Sequence, residues 1–177
     1  MTRFINLLTA IRILLAPIIL LFLIFGEYLL CTLLFFLAGM TDYFDGYLAR
    51  KYNAESQLGE ILDPIADKVL VVFLLIGLSV NLHSYLMVIM SAFIISREIG
   101  VAALRDYASR NSMSHKTKVS FLAKSKTALQ LFTIMLYLIA LSLNLNLLVI
   151  IGDVSLIAAA LVTIYTGYEY ANNVFTE

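Results

Sequence analysis

Six long apolar runs fill most of the 177 residues, more than a soluble domain of this size can bury. They extend approximately over Ile5–Phe25, Tyr28–Leu48, Leu58–Val80, Tyr85–Tyr107, Val119–Leu143 and Leu147–Ala171. A helix needs about 20 apolar residues to cross the hydrocarbon core of a bilayer, so six spans take up about 120 residues and leave only short connections. Strands are a poor alternative, because the runs are continuous and lack the ten-residue alternation of a membrane barrel. Helices satisfy their own backbone in lipid. The expected fold is therefore all-α and polytopic: a bundle of six transmembrane helices forming one membrane domain over residues 1–177. Polar Asn6, Thr9 and Arg12 interrupt the first run, and no small-residue cleavage site follows it, so it reads as a span and not as a cleavable signal peptide.

Composition narrows the function. The chain is 62% apolar or aromatic and 14% charged, against about half and about a quarter in soluble domains. Lys and Arg number 12 and Asp and Glu 12, so there is no basic field for a nucleic-acid backbone. The single cysteine, Cys31, has no partner for an internal disulfide. The basic residues are also unevenly placed. Arg3, Arg50 and Lys51 flank the first two spans, and Arg105, Arg110, Lys116, Lys118, Lys124 and Lys126 surround the connection between the fourth and fifth. The other three connections, near residues 26–27, 81–84 and 142–146, carry no Lys or Arg. The positive-inside rule then predicts that both termini and the two basic loops face the cytoplasm.

Four aspartates stand at the ends of the second and third spans: Asp42, Asp45, Asp63 and Asp67. A carboxylate at membrane depth costs several kcal/mol unless it is paired or bound to a cation, which makes each a functional candidate. At 100° per residue, Asp42, Asp45, Gly46 and Ala49 fall within about 100° of one another, and Gly59, Asp63 and Asp67 within about 80°. The short link between the two helices predicts antiparallel neighbours whose acidic faces meet. Carboxylates brought together in this way need positive charge between them. An all-oxygen donor set favours Mg2+ or Mn2+, and four carboxylates are enough for two ions, the usual apparatus for displacement at phosphorus. Gly46, Ala49 and Gly59 either admit a bulky ligand or let helices pack closely. Pro64 reads as a kink in the third span, and His83 and His115 read as solvated loop residues.

Asp42 to Asp67 spell D-x2-D-G-x2-A-R-x8-G-x3-D-x3-D, here DYFDGYLARKYNAESQLGEILDPIAD. This string resembles the signature of the CDP-alcohol phosphatidyltransferase family at all eight fixed positions: Asp42, Asp45, Gly46, Ala49, Arg50, Gly59, Asp63 and Asp67. The resemblance implies an enzyme that moves the phosphatidyl group of CDP-diacylglycerol to an alcohol and releases CMP. It implies that Asp42, Asp45 and Asp63 hold two metal ions, with Asp67 contributing to the metals and acting as general base. It also implies that Asn6, Thr9, Asp42, Gly46, Ala49 and Arg50 bind the CDP-lipid. A homodimer in the inner (cytoplasmic) membrane is implied as well.

Outside the signature, Asn6-x2-Thr9-x2-Arg12, Arg97-Glu98, Leu104-Arg105 and Lys124-x-Lys126-Thr127 are similar to the branch of the family whose alcohol is sn-glycerol 3-phosphate. Ala123 departs from it, standing where glycine is expected. The implied acceptor-phosphate ligands are Arg97, Arg105, Lys124 and Lys126. The two lysines are 200° apart on a regular helix, so both face one pocket only if that turn is irregular. Another acceptor of the same family (serine, an inositol phosphate or phosphatidylglycerol) stays open. So does a different class of protein, a divalent-cation transporter with the aspartates as its ion path. Against the transporter, the aspartates cluster on the cytoplasmic side and not near the midplane.

Overall fold

The computed structural model describes residues 2–52, 56–111 and 121–175; of these, the side chains of 2–5, 45, 49–50, 57, 60 and 121–124 are left aside. Six helices follow one another: α1 (Thr2–Ile24), α2 (Tyr28–Lys51), α3 (Gln57–Leu82), α4 (Tyr85–Arg110), α5 (Phe121–Leu143) and α6 (Asn146–Phe175). Each is long and apolar enough to cross a bilayer, and the chain is a multi-pass membrane protein. The observed helices outrun the apolar runs by a few residues at most ends, because turn chemistry and not hydropathy stops them. Ser56 caps α3 by accepting from the Gly59 amide at 3.0 Å, and Ser84 caps α4 by accepting from Met87 at 3.3 Å. Gly26, His83 and Asn144 adopt positive φ (78°, 47° and 54°) where the chain reverses between α1 and α2, α3 and α4, and α5 and α6. His83 is thus an exposed helix terminator, while His115 lies outside the described residues.

The helix order in space departs from the sequence expectation at one place. The short link predicts α2 and α3 as neighbours, yet among the described residues they make no close contact. Helix α1 lies between them and packs on both. The reason is polar. Asn6, Thr9 and Arg12 recur every third residue along one stripe of α1, and each finds a partner on α2, on α3 or at the α3 cap. The other contacts link α5 with α6, α4 with α6, α2 with α5, and α3 with α4 and α5. The apolar core runs through this arrangement, with Ile19, Leu23, Leu74, Leu78, Ile134 and Leu138 fully buried. Cys31 is buried there too and donates to the Ile19 carbonyl at 3.6 Å. Large apolar side chains such as Leu14, Leu21 and Phe36 are exposed on the outside of the bundle, where lipid would cover them.

Helices α5 and α6 are joined by a polar seam as well as by packing. Gln130 donates to Thr163 at 3.0 Å, Thr133 pairs with Ser155 at 2.6 Å, and buried Tyr137 donates to Asp153 at 2.6 Å. The Tyr137 ring reaches Asp153 only by lying on Gly152, where an added Cβ would stand 2.8 Å from the ring. Gly152→Ala should therefore destabilise the protein by about 1–3 kcal/mol, since a buried ring has nowhere to retreat. Gly39→Ala on α2, where a Cβ meets nothing within 4 Å, should instead stabilise by about 0.5–1 kcal/mol. Thermal unfolding in detergent checks both signs.

Candidate active site

The signature aspartates are organised by α1. Arg12, 1% exposed, donates from one guanidinium nitrogen to Asp42 at 2.5 Å and to Asp67 at 3.1 Å. Thr9, one turn away on the same face, donates to Asp63 at 2.9 Å. Asn6 accepts from the Ser56 hydroxyl at 2.9 Å, and Ser56 in turn caps α3. Gly59 sits under this cap. An added Cβ would meet Ser56 Oγ at 3.1 Å and Asn6 Oδ1 at 3.2 Å, so close packing of α1 on α3 explains this glycine. The acidic faces of α2 and α3 therefore approach one another through the arginine between them. Gly46 is half-buried on α2. The side chains of Asp45, Ala49, Arg50 and Lys124 lie outside the described residues.

Among the described residues no three carboxylates are gathered as a ligand set for a metal ion. The donor chemistry nonetheless fits a hard cation. Asp42, Asp63 and Asp67 present oxygen only, and one guanidinium leaves them with surplus negative charge.

Asp67 also lines a cavity of about 200 Å³ between α3, α4, α5 and α6. Four basic side chains share that cavity with it. Lys68, Arg97, Arg105 and Lys126 all line it, so three of the four implied phosphate ligands share one space with Asp67. Glu98 supplies their internal counter-charge: its Oε1 accepts from Arg97 at 3.3 Å and pairs with Lys126. Arg97 also donates to Thr166 at 2.9 Å. Arg97 and Lys126 are almost wholly buried, so neither merely snorkels to the surface; Arg105 is exposed at the mouth. Pro64 lines the cavity as well, within an α3 that runs through it.

Sequence reasoning missed several members of this wall. Lys68 had a signal, since it is a charge inside an apolar span beside Asp67. Glu169 of α6 carried the same signal, whereas Thr166, Tyr170 and Asn173, which also line the cavity, lie in no motif and gave no warning. Arg12 was visible as a costly intramembrane charge, although its pairing with Asp42 and Asp67 was not.

Comparison with known proteins supplies the decisive observation: the family model for CDP-alcohol phosphatidyltransferase matches residues 4–165. The chain belongs to the CDP-alcohol phosphatidyltransferase family. Membership decides for an enzyme and against a transporter. The chain is also similar to proteins named CDP-diacylglycerol–glycerol-3-phosphate 3-phosphatidyltransferase. That of Blochmanniella floridana is 41% identical over 152 residues, covering 85% of this chain and 78% of the relative. That of Rickettsia bellii (strain RML369-C) is 42% identical over 169 residues, covering 93% and 91%. That of Rickettsia typhi (strain ATCC VR-144 / Wilmington) is 39% identical over 171 residues, covering 93% of each.

In this phosphatidyltransferase Arg12 is the first residue to remove. Arg12→Gln leaves two carboxylates without a counter-charge and should cost about 2–3 kcal/mol, below a fully buried pair because both carboxylates are partly exposed. Thr9→Val removes one neutral donor and should cost about 1 kcal/mol. Unfolding temperatures of the two variants in detergent should rank in that order.

Proposed function

We propose that the chain transfers the phosphatidyl group of CDP-diacylglycerol to sn-glycerol 3-phosphate, giving phosphatidylglycerophosphate and CMP in phospholipid biosynthesis. On this reading it is a phosphatidylglycerophosphate synthase. The observation that carries it is the cavity in which Asp67 shares walls with Lys68, Arg97, Arg105 and Lys126. The names of the relatives agree with it. A phosphorylated acceptor needs a basic pocket for its phosphate and a base near its hydroxyl, and both line one space here. Serine carries no phosphate and would leave that basic wall without its anion. An inositol phosphate or phosphatidylglycerol is the remaining alternative, and the acceptor comparison below separates these.

The mechanism follows from the chain's own groups. Asp67, oriented by Arg12, takes the proton from the acceptor hydroxyl as that oxygen attacks the lipid-bearing β-phosphorus. The bond from this phosphorus to the CMP oxygen breaks and CMP departs. Asn6, Thr9, Asp42, Gly46, Ala49 and Arg50 are the residues assigned to the CDP-lipid, with the charge of Arg50 as a positive partner for its pyrophosphate. Arg97, Arg105 and Lys126 hold the acceptor phosphate away from the carboxylates. Asp42, Asp45, Asp63 and Asp67 would hold two divalent ions, Mg2+ or Mn2+, whose charge stabilises the pyrophosphate when bound. The reading includes a homodimer in the cytoplasmic (inner) membrane, with both termini and the cavity on the cytoplasmic side. The absence of Lys and Arg from the opposite connections supports that orientation.

CMP release from CDP-diacylglycerol by the purified chain tests the proposal. Glycerol 3-phosphate should outpace serine, inositol 1-phosphate and phosphatidylglycerol; a faster alternative would reassign the acceptor. Arg105→Ala should lower use of glycerol 3-phosphate by about 10–150-fold while CDP-lipid binding holds. An equal loss with every acceptor would move Arg105 to the common substrate or the fold. Asp67→Asn should slow turnover by about 10²–10⁴-fold, and near-wild-type turnover would remove it from the base role. Orientation is read separately. Cysteines placed at Asn111 and Asn144 in intact cells should label from outside only at 144.

A further inference from the structure

Arg97 grows from α4, but its course is set by α6. At Gly167 an added Cβ would stand 2.7 Å from Arg97 Cγ and 3.1 Å from Nε. Real Cβ atoms essentially never approach within 3.0 Å, so the arginine lies where it does only because residue 167 has no side chain. The preceding residue supplies the polar half of the contact. Thr166 Oγ1 accepts from Arg97 Nη2 at 2.9 Å and donates its own proton to the Val162 carbonyl at 2.8 Å. With that proton committed within α6, the hydroxyl presents a lone pair to the arginine. Glu98 accepts from the other terminal nitrogen, Nη1. A long, flexible side chain is thus fixed on three sides.

Plain helix packing does not explain this glycine. Gly100, in the same α4–α6 groove, has nothing within 4 Å of an added Cβ, so this interface does not demand small residues throughout. The three atoms nearest an added Cβ at Gly167 all belong to Arg97. An arginine fixed before its ligand arrives loses less freedom on binding, and Arg97 lines the cavity.

We propose that Gly167 and Thr166 are positioning residues, a seat on α6 that presets the Arg97 guanidinium for the acceptor's phosphate. The proposal rests on the reading of the cavity as the acceptor site. It adds residues of α6 that lie outside the signature and touch neither the CDP-lipid aspartates nor the reacting atoms.

Steady-state kinetics of the full-length purified chain with CDP-diacylglycerol and glycerol 3-phosphate test it. Gly167→Ala should raise the KM for glycerol 3-phosphate by about 10-fold or more, as a charge-assisted bond is pulled out of line. The KM for CDP-diacylglycerol should stay within about twofold, which separates loss of the seat from a general loss of the fold. Thr166→Val should raise the same KM by about 3–10-fold, and it carries the test if Gly167→Ala does not fold. Because the seat acts through Arg97, adding Gly167→Ala to Arg97→Ala should cost nothing further. Gly100→Ala should leave both KM values alone. A wild-type acceptor KM in both seat variants overturns the proposal, as does a Gly167→Ala loss that multiplies with Arg97→Ala or falls equally on both substrates. If the wild type releases CMP with another acceptor and not with glycerol 3-phosphate, the acceptor assignment fails by itself, and the same variants measured on that acceptor's KM decide the seat.

Discussion

One guanidinium inside a bundle of apolar helices sets the arrangement around the signature. Arg12 is buried, and an unpaired charge at that depth is prohibitively costly, so its partners must come to it. Asp42 reaches it from α2 and Asp67 from α3. Helix α1 is therefore held between the two helices that carry the acidic motif. Thr9 and Asn6 extend the same zipper toward the α3 cap, tying Asp63 and Ser56 to α1.

Helix α3 carries this acidic side to the basic one. It packs on α1, α4 and α5, and successive residues Asp67 and Lys68 both line the cavity. Beyond it, α4, α5 and α6 contribute Arg97, Arg105, Lys126 and Thr166. Several like charges in so small a space repel one another, and Glu98 offsets part of that by pairing with both Arg97 and Lys126. The result is one cavity that holds Asp67 of the signature together with a cluster of cations, most of them from α4 and α5. A phosphorylated alcohol needs both, a base for its hydroxyl and cations for its phosphate.

Much of this was legible in the sequence, for identifiable reasons. Spans were readable because lipid imposes a length and an apolar character on each helix. Asp42, Asp63 and Asp67 were readable because intramembrane carboxylates at helical spacing are rare without a purpose. The neighbour relation of α2 and α3 was misread because a short connection limits how far apart two helix ends lie, not what stands between the helices. The lysine pair shows the same limit. Periodicity separated Lys124 from Lys126, and only packing brought Lys126 to the cavity. Residues such as Thr166 and Gly167 left no trace in the pattern, since a threonine and a glycine in an apolar helix look like ordinary packing until the arginine across from them is seen.

The dependence of the signature on Arg12 is measured most directly by a double-mutant cycle on unfolding free energy. Its members are the wild type, Arg12→Gln, Asp67→Asn and the double variant, all with Asp42 intact. A shared pairing predicts that each single change destabilises, and that the double variant is more stable than the sum of the two losses by about 0.5–3 kcal/mol. Strict additivity of the two losses would contradict it, and would leave Arg12 coupled to α2 through Asp42 and not to α3 through Asp67.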